Sequence, residues 1–249
     1  MRNGTVIAVT SGKGGTGKTS VTAGVGTALS LTGRSVLCID ADLSLRNLDL
    51  CLGLSDRVVL DLSDVLTGSC TLEQAVVPHP DRPGLNLLAA PYRMSVTDLN
   101  RDALSDLLRE ARTRYDYILI DSPAGLDIGF YLAAAPADGA IVVATPTAAS
   151  LRDAQRVAQE LRAMDKAPLC LVVNRIRRRL LRRMSLTVDD AMDATGLPLL
   201  GLIPEDAEVP LYNHQGRLIT VPRRRGAGAA YQHIARRLTG EQIGLPRWL

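Results

Sequence analysis

The feature that most constrains the fold of this chain is a glycine-rich stretch near its start, residues 11–20, with the sequence SGKGGTGKTS. Gly12, Gly17, Lys18 and Thr19 occupy the fixed positions of the pattern G-x-x-x-x-G-K-[ST]. Four glycines in six residues let the backbone take positive φ angles and bring its N–H groups close to phosphate oxygens. The pattern predicts a phosphate-binding loop, in which Lys18 reaches the terminal phosphates and the Thr19 hydroxyl ligates Mg²⁺.

The residues around this loop have the order of elements that such a loop requires. The apolar run Val6–Val9 before the loop indicates a strand, and the small apolar residues from Thr22 to Leu31 indicate a helix that ends near Gly33. A strand, a glycine loop and a helix in succession predict that the loop binds a nucleotide. The nucleotide-binding residues predicted there are Gly12, Lys13, Gly14, Gly15, Thr16, Gly17, Lys18, Thr19 and Ser20.

Apolar runs alternate with helical patterns along the rest of the chain. The runs are almost continuously hydrophobic, which is typical of parallel strands covered on both faces. The pattern predicts an α/β fold of the P-loop NTPase kind: a doubly wound, mostly parallel sheet flanked by helices, with its ligand at the carboxyl ends of the strands. The seven predicted strands are Val6–Val9, Val36–Ile39, Leu85–Ala89, Ile118–Ile120, Ala140–Ala144, Leu169–Val173 and Leu199–Ile203.

Length and composition fit this class. A chain of 249 residues with 46% hydrophobic residues suits one large α/β domain of the P-loop kind, which we assign to residues 1–240, followed by a short tail at residues 241–249. The net charge of +3 implies no global attraction to nucleic acid. No apolar run reaches the roughly 18 residues of a membrane span, and we expect no signal peptide. The cysteines lack C-x-x-C spacing, so we expect reduced thiols in a cytosol; they are Cys38, Cys51, Cys70 and Cys170.

Three aspartates that follow predicted strands point to catalysis and metal binding. Asp40 and Asp42 follow the second strand at a spacing that aims both carboxylates the same way at the ligand edge. Phosphoryl transfer to water needs a group that orients the nucleophile, and Asp42 is our candidate. Asp40 is expected either as an outer contact to Mg²⁺ or as a cap of the turn. Asp121 follows four apolar residues, the Walker B pattern, so the predicted metal-site residues are Thr19, Asp40 and Asp121.

Three other features are open to structural explanations. The charge of Lys13 repels that of Lys18, so Lys13 either serves a neighbouring subunit's nucleotide or lies solvated at the surface. The amide of Asn174, at the end of the sixth strand, either matches an adenine edge or forms a turn. Ser150 and Asp153 form an S-x-x-D pattern, which predicts a capping box at a helix start.

The sequence K-G-G-x-G-K-[ST] at residues 13–19 resembles the deviant Walker A motif of the MinD/ParA family of dimerising ATPases. Two further segments, D-x-D-x-x-L-R-N-L-D-L at residues 40–50 and D-x-P-A-G at residues 121–125, resemble the MinD branch of that family. The likeness extends over nearly the whole chain, although Ser44 stands where the family usually has glycine.

This resemblance implies roles for particular residues. Lys13 would reach across a dimer to the other subunit's phosphates, which makes Lys13, Lys18 and Asp42 the implied catalytic set. The implied switch residues are Asn47, Pro123 and Gly125, although Asn47 could instead cap the following turn. The implied dimer face contains Lys13, Arg152 and Asp153, and the implied base-binding residues are Asn174, Pro204 and Glu205.

The resemblance also implies a function. ATP and Mg²⁺ would close a homodimer whose partner-stimulated hydrolysis positions the division septum. The implied partners are an inhibitor such as MinC and an activator such as MinE, or a polar scaffold. The implied location is the cytoplasm, peripheral at the inner face of the cell membrane. There the tail residues Ile243, Leu245, Trp248 and Leu249 would make a weak contact with anionic lipid; the alternative is a tail that is disordered or packed against the domain.

Other members of the same family provide alternatives. A ParA-like ATPase that partitions DNA or cargo would use basic blocks, which could equally be solvated faces; the arginines considered are Arg177, Arg178, Arg179, Arg182 and Arg183. A regulator of flagellar number is a second alternative. An iron–sulfur electron-transfer ATPase would need two cysteines near the switch, and the four cysteines of this chain do not fall there.

Overall fold

The computed structural model describes residues 3–92, 100–184, 187–219 and 225–245, and strands and helices alternate through them. The strands are β1 (Thr5–Thr10), β2 (Val36–Asp40), β3 (Val77–Pro78), β4 (Leu85–Leu88), β5 (Tyr117–Asp121), β6 (Gly139–Ala144), β7 (Leu169–Ile176) and β8 (Leu199–Pro204). The helices are α1 (Lys18–Leu31), α2 (Leu48–Leu52), α3 (Leu62–Leu66), α4 (Leu72–Ala75), α5 (Arg101–Arg114), α6 (Ile128–Ala134), α7 (Ala148–Ala163), α8 (Arg178–Met184), α9 (Val188–Thr195), α10 (Glu208–His214) and α11 (Ala227–Leu238).

The strands form one sheet in the order β3-β4-β2-β5-β1-β6-β7-β8. All seven predicted strands are present and pair in parallel, so the predicted fold class is confirmed. The sequence did not predict β3, which pairs antiparallel with β4 at the edge. This strand has only two residues, and its Pro78 has no N–H to donate into a ladder, so it carries no periodic signal.

The pairing register brings the carboxyl ends of the three central strands together. Asp40 at the end of β2 lies opposite Asp121 at the end of β5, and Asp121 is in register with Val9 of β1. Because β1 leads into the glycine loop at residues 11–17, this loop and both aspartates lie at one edge of the sheet. Segments that are far apart in the sequence thus converge where a ligand of an α/β sheet binds.

Helices cover both faces of the sheet, and each face has its own apolar core. In β1, Val6 and Ala8 face one core, whereas Ile7 and Val9 face the other. Residues of α5, α6 and α7 pack in the first core, and residues of α1 and α11 pack in the second. This double cover explains why the strands read as continuous apolar runs in the sequence.

Gly24 of α1 lies where α11 packs against that helix, and it yields a test of the second core. A Cβ at Gly24 would lie 2.5 Å from two ring carbons of Tyr231, whose side chain is 1% exposed. We expect Gly24→Ala to lower the free energy of unfolding by about 1–3 kcal/mol, because the ring has no room to move, although alanine favours a helix. Chemical denaturation measures this change. Gly244→Ala, where the methyl group meets open space, is the control, and equal stability of the two variants would contradict the expectation.

Candidate functional site

The glycine loop connects β1 to α1 and leaves its backbone open to a ligand. Gly15 and Gly17 have φ angles of 80° and 86°, in the left-handed region that side chains disfavour, and α1 begins directly afterwards at Lys18. A Cβ added at Gly14 or Gly15 would meet open space. The start of α1 therefore offers a concave, positively polarised backbone surface of the kind that binds phosphate.

The two lysines of the loop have opposite environments. Lys13 is exposed, and its carbonyl accepts a hydrogen bond from Ser11 Oγ at 3.0 Å. Lys18 is 6% exposed, and its Nζ lies 3.3 Å from Oδ1 of Asp121. This separation agrees with the repulsion argued from the sequence, since only one of the two cations lies among the buried carboxylates.

Asp121 is fully buried at the end of β5. Its Oδ1 accepts a hydrogen bond from the Thr22 hydroxyl at 3.0 Å, whereas its Oδ2 has no hydrogen-bond partner among the described residues. Burial raises the pKa of the Asp121 carboxyl, and Lys18 and the hydroxyls of Thr19 and Thr22 act in the opposite direction. A buried carboxylate oxygen without a partner, close to a threonine hydroxyl, is a set of donors that suits a hard cation. The residues present therefore fit Mg²⁺.

Asp40 ends β2 and has both carboxylate oxygens engaged by the backbone. Its Oδ1 accepts the N–H of Asp42 at 3.0 Å, and its Oδ2 accepts the N–H of Leu48 at 3.1 Å. Burial, followed by the charge of Asp121, raises the pKa of Asp40 to about 7. The cap interpretation of Asp40 is thus confirmed for this structure, and its outer contact to Mg²⁺ stays a prediction.

Asp42 shapes the turn that leads into α2. It is 9% exposed, and its Oδ1 accepts the N–H groups of Ser44 and Leu45 at 3.2 and 3.3 Å. Asn47 directly precedes α2, but its side chain is exposed and makes no capping hydrogen bond. The cap interpretation of Asn47 is therefore wrong: an N-cap side chain accepts from the second or third N–H of its helix, and the third, that of Leu50, donates to Oδ1 of Asp49 instead.

The predicted switch segment after β5 lies against the glycine loop. Gly125 has a φ angle of 94°, and its N–H donates to the carbonyl of Ser11 at 2.9 Å. Pro123 packs on α6, where a Cβ at Gly129 would lie 2.6 Å from the proline ring. One backbone hydrogen bond holds Gly125 to the loop, and breaking it would disturb no strand or helix.

The predicted base-binding residues lie at the ends of β7 and β8. Asn174 is 5% exposed; its Nδ2 donates to the carbonyl of Thr16 at 2.8 Å, and its Oδ1 accepts the following backbone N–H at 2.9 Å. Pro204 ends β8, and the N–H of Glu205 donates to the carbonyl of Ile176 at 3.0 Å. Both polar groups of Asn174 thus have partners within the protein, and its contact with adenine stays a prediction.

Comparison with known proteins decides the family. Residues 7–219 match the CobQ/CobB/MinD/ParA nucleotide binding domain. The septum site-determining protein MinD of Synechocystis sp. is 41% identical over 240 residues, which cover 96% of this chain and 90% of that protein. The chain belongs to the MinD family.

Solved structures of MinD agree with this assignment. A chain of the MinC:MinD cell division protein complex of Aquifex aeolicus matches with a TM-score of 0.91 and 41% identity, over 98% of this chain and 99% of that chain. MinD of Pyrococcus horikoshii, solved with Mg-ADP, matches with a TM-score of 0.84 and 32% identity, over 94% and 95% of the two chains. This chain is accordingly a cell-division ATPase of the MinD type, as the resemblance implied.

Of the dimer-face residues implied by the MinD resemblance, Lys13 belongs to the glycine loop, and Arg152 and Asp153 lie in α7 beside that loop. A Cβ at Gly12 would lie 2.6 Å from the carbonyl oxygen of Asp153, so only glycine permits this approach of loop and helix. Arg152, next to Asp153, is exposed. The predicted capping box of Ser150 with Asp153 is wrong, because α7 begins earlier and Thr147 is its N-cap, with Oγ1 accepting the Ser150 N–H at 3.3 Å.

The basic block of this MinD-type chain is partly neutralised. Arg177 forms an ion pair with Glu205, which lowers the pKa of that carboxyl. Arg178, Arg179 and Arg183 of α8 are exposed. The side chain of Arg182 lies outside the described part of the chain.

The start of the tail is fastened to the domain. The guanidinium of Arg237 donates to the carbonyls of Leu200 and Ile243 at 2.6 and 2.7 Å. The predicted membrane contacts Trp248 and Leu249 lie outside the described residues. Within the described ranges, none of the helices combines the length and the apolarity that a bilayer span requires.

The four cysteines form no disulfide in the described structure, which agrees with the expected reduced thiols. Cys38 is buried beneath α1, where a Cβ at Gly26 would lie 2.5 Å from its sulfur. Burial raises the pKa of Cys38 to about 12, so its thiol stays protonated at neutral pH.

Asn174→Ala tests whether the Asn174 amide supports the loop or recognises the base. Loss of the amide leaves the Thr16 carbonyl without its donor, so we expect the Kd values for Mg-ATP and Mg-GTP to rise by a similar factor, about tenfold. Calorimetric titration measures both. Asn86→Ala removes a comparable bond to the carbonyl of Val36 at a distant strand and is the control. Weakening of Mg-ATP binding alone would instead indicate a contact with adenine.

The raised pKa of Asp40 predicts a pH dependence of stability without nucleotide or Mg²⁺. Folded Asp40 retains a proton up to about pH 7, whereas the unfolded chain releases it near pH 3.8, so stability falls as pH rises through this window. Between pH 5 and 7 we expect a loss of about 2 kcal/mol that Asp40→Asn does not show. Urea denaturation of both proteins across this range measures the difference. Parallel pH profiles for the two proteins would contradict the expectation.

Proposed function

We propose that two copies of this MinD-type ATPase close face to face on two ATP molecules, and that the nucleotide state controls binding to the membrane and to partner proteins. One observation carries the proposal: Lys18 is buried against Asp121, whereas Lys13 of the same loop is exposed. A cation outside its own pocket is available to the phosphates of a facing subunit. The charge of a subunit's own Lys18 and that of the facing subunit's Lys13 therefore act together on one γ-phosphate only in the dimer. Hydrolysis is in this way linked to dimerisation.

Each subunit's own residues bind the substrate phosphates and the metal. The loop N–H groups and Lys18 neutralise the phosphates, and Thr19 and Asp121 would hold Mg²⁺, with Asp40 further out. When bound, Mg²⁺ supplies further neutralisation of charge on the phosphates. Lys18 must leave Asp121 to reach the phosphates, so the buried ion pair is exchanged for charged contacts to the ligand.

In this proposal Asp42 orients the attacking water. Its carboxylate is held by two backbone N–H groups, so an oxygen that accepts a hydrogen bond from water has a fixed direction. The adenine would lie near Asn174, Pro204 and Glu205, at the ends of β7 and β8. Turnover of the dimer alone is expected to be slow, and a partner protein would accelerate it.

Two segments beside the loop are placed to report the nucleotide state. The N–H of Gly125 now donates to the carbonyl of Ser11, and a γ-phosphate is a stronger, charged acceptor. Gly125 therefore turns toward ATP together with Pro123 and returns after hydrolysis. Asn47, exposed at the start of α2, adds an amide beside the same phosphate.

The cellular role follows from the relatives, which are septum site-determining proteins; one was solved in a MinC:MinD complex. For this chain we propose septum positioning from the inner face of the cell membrane, with residues 1–240 acting as one ATPase domain. Its partners are an inhibitor of the MinC type and an activator of the MinE type or a polar scaffold. Leu245 of the tail is 53% exposed, and two such tails on a dimer strengthen a weak contact with anionic lipid.

The dimer is tested with Asp42→Ala, in which blocked hydrolysis keeps ATP bound. Light scattering should show a dimer with Mg-ATP and a monomer with Mg-ADP. Adding Lys13→Ala should restore the monomer in Mg-ATP, because each γ-phosphate loses the partner's charge. Arg109→Ala removes an exposed cation of α5 instead and should leave the dimer intact. A monomeric Asp42→Ala protein in saturating Mg-ATP would refute the proposal.

The surface that the dimer binds is tested by co-sedimentation with phosphatidylglycerol vesicles and, separately, with DNA. Retention on vesicles in ATP but not in ADP is the expected result. Retention on DNA that falls steeply with salt would instead favour a partitioning ATPase that uses Arg178, Arg179 and Arg183. Binding to neither surface in ATP would exclude both roles.

A further inference from the structure

The loop between β2 and α2 contains a buried arginine that the roles proposed above do not use. Arg46 has a side chain only 9% exposed, and its Nε lies 3.3 Å from Oδ2 of Asp49. Its guanidinium carbon lies 3.6 Å from the centre of the Tyr92 ring. The cation is thus held between a buried carboxylate and an aromatic face, a stacked arrangement that suits the planar guanidinium and not an ammonium group.

Three features make this placement unfavourable for an ordinary surface residue. The backbone of Arg46 is left-handed, with a φ angle of 42°, where a residue with a Cβ is strained. The charge has been removed from water. The Nη2 group is buried and has no hydrogen-bond partner among the described residues. These three unfavourable features occur together in Arg46. Their combination indicates that the conformation of the loop depends on this side chain.

The loop geometry shows what Arg46 fixes. Its N–H donates to the carbonyl of Asp42 at 3.1 Å, which closes the five-residue turn from Asp42 to Arg46. Inside this turn the Asp42 carboxylate accepts the N–H groups of Ser44 and Leu45. The direction of the carboxylate is therefore set by a turn whose last residue is held in place by its own side chain.

Tyr92 gives that side chain a support outside the loop. It follows β4 by a few residues, and the nearby Ala89 carbonyl accepts the N–H of Leu62 at 2.9 Å. The tyrosine is itself 79% exposed, so burial of its own surface does not explain its position, whereas the stack on Arg46 does. A support in the segment that follows β4, the strand next to β2, thus connects the turn to the sheet.

We propose that Arg46 is a positioning residue for ATP hydrolysis: through its stack on Tyr92 and its ion pair with Asp49, it holds the turn that aims the Asp42 carboxylate. This inference rests on the role of Asp42 given under the proposed function. Loss of Arg46 leaves the glycine loop, Lys18 and Asp121 in place. ATP therefore still binds, and the misdirected carboxylate slows the chemical step.

The test uses steady-state ATPase assays of the full chain with Mg²⁺. Arg46→Met keeps the length of the stem and removes the charge; we expect kcat to fall about tenfold with KM for ATP within about twofold. Arg46→Asn should lower kcat equally, although asparagine tolerates the left-handed backbone, because the side chain carries the effect. Tyr92→Leu should lower kcat in the same way, whereas Tyr92→Phe, which keeps the ring, should retain it.

The controls separate positioning from folding. Arg109→Met removes an exposed arginine of α5 and should leave kcat, KM and the melting temperature unchanged. Because Tyr92 is largely exposed, Tyr92→Leu should fold normally. If Arg46→Met does not fold, the kcat of Tyr92→Leu decides whether the stack positions the turn at Asp42. If the wild-type protein is active and both Tyr92→Leu and Arg46→Met retain its kcat, the inference about Arg46 is overturned, and the proposed function is unaffected. A wild-type protein that hydrolyses no ATP would overturn the proposed function as well.

Discussion

The buried ion pair of Lys18 and Asp121 is the contact on which the arrangement of this site depends. It joins the first residue of α1 to the last residue of β5, 103 positions apart in the sequence, and so fixes the glycine loop to the sheet. Removal of either partner would leave the other charge buried and uncompensated.

The carboxylates at this edge constrain each other as well. Asp40 lies opposite Asp121 in the register of β2 and β5; burial raises the pKa of both carboxyls, and the charge of Asp121 raises that of Asp40 further. Among the described residues, this edge of the sheet therefore contains more buried carboxyl groups than the single positive charge of Lys18 neutralises. A cation that enters relieves this repulsion, so ligand binding and local stability are thermodynamically linked.

Local patterns in the sequence were sufficient for the strands, the glycine loop and the Walker B aspartate, because each depends on neighbours within a few residues. Tertiary partners were not predictable in this way. The amide of Asn174 is bound to Thr16, 158 positions away, and no local signal marks that choice. Thr147 and Ser150 both suit an N-cap, but α7 begins at Ala148, so Thr147 caps the helix and the Ser150 hydroxyl accepts the N–H of Thr145 instead.

The hydrogen bonds that Arg237 donates to the carbonyls of Leu200 and Ile243 determine where the tail leaves the domain. Leu200 lies near the amino end of β8, whereas the glycine loop and the aspartates lie at the carboxyl ends of the strands. Four residue steps separate Leu200 from Pro204, so the anchor of the tail lies about 13 Å along the strand from the carboxyl end of β8. A fluorescent label attached at Leu245 itself would therefore lie away from the carboxyl edge of the sheet and leave the glycine loop unobstructed.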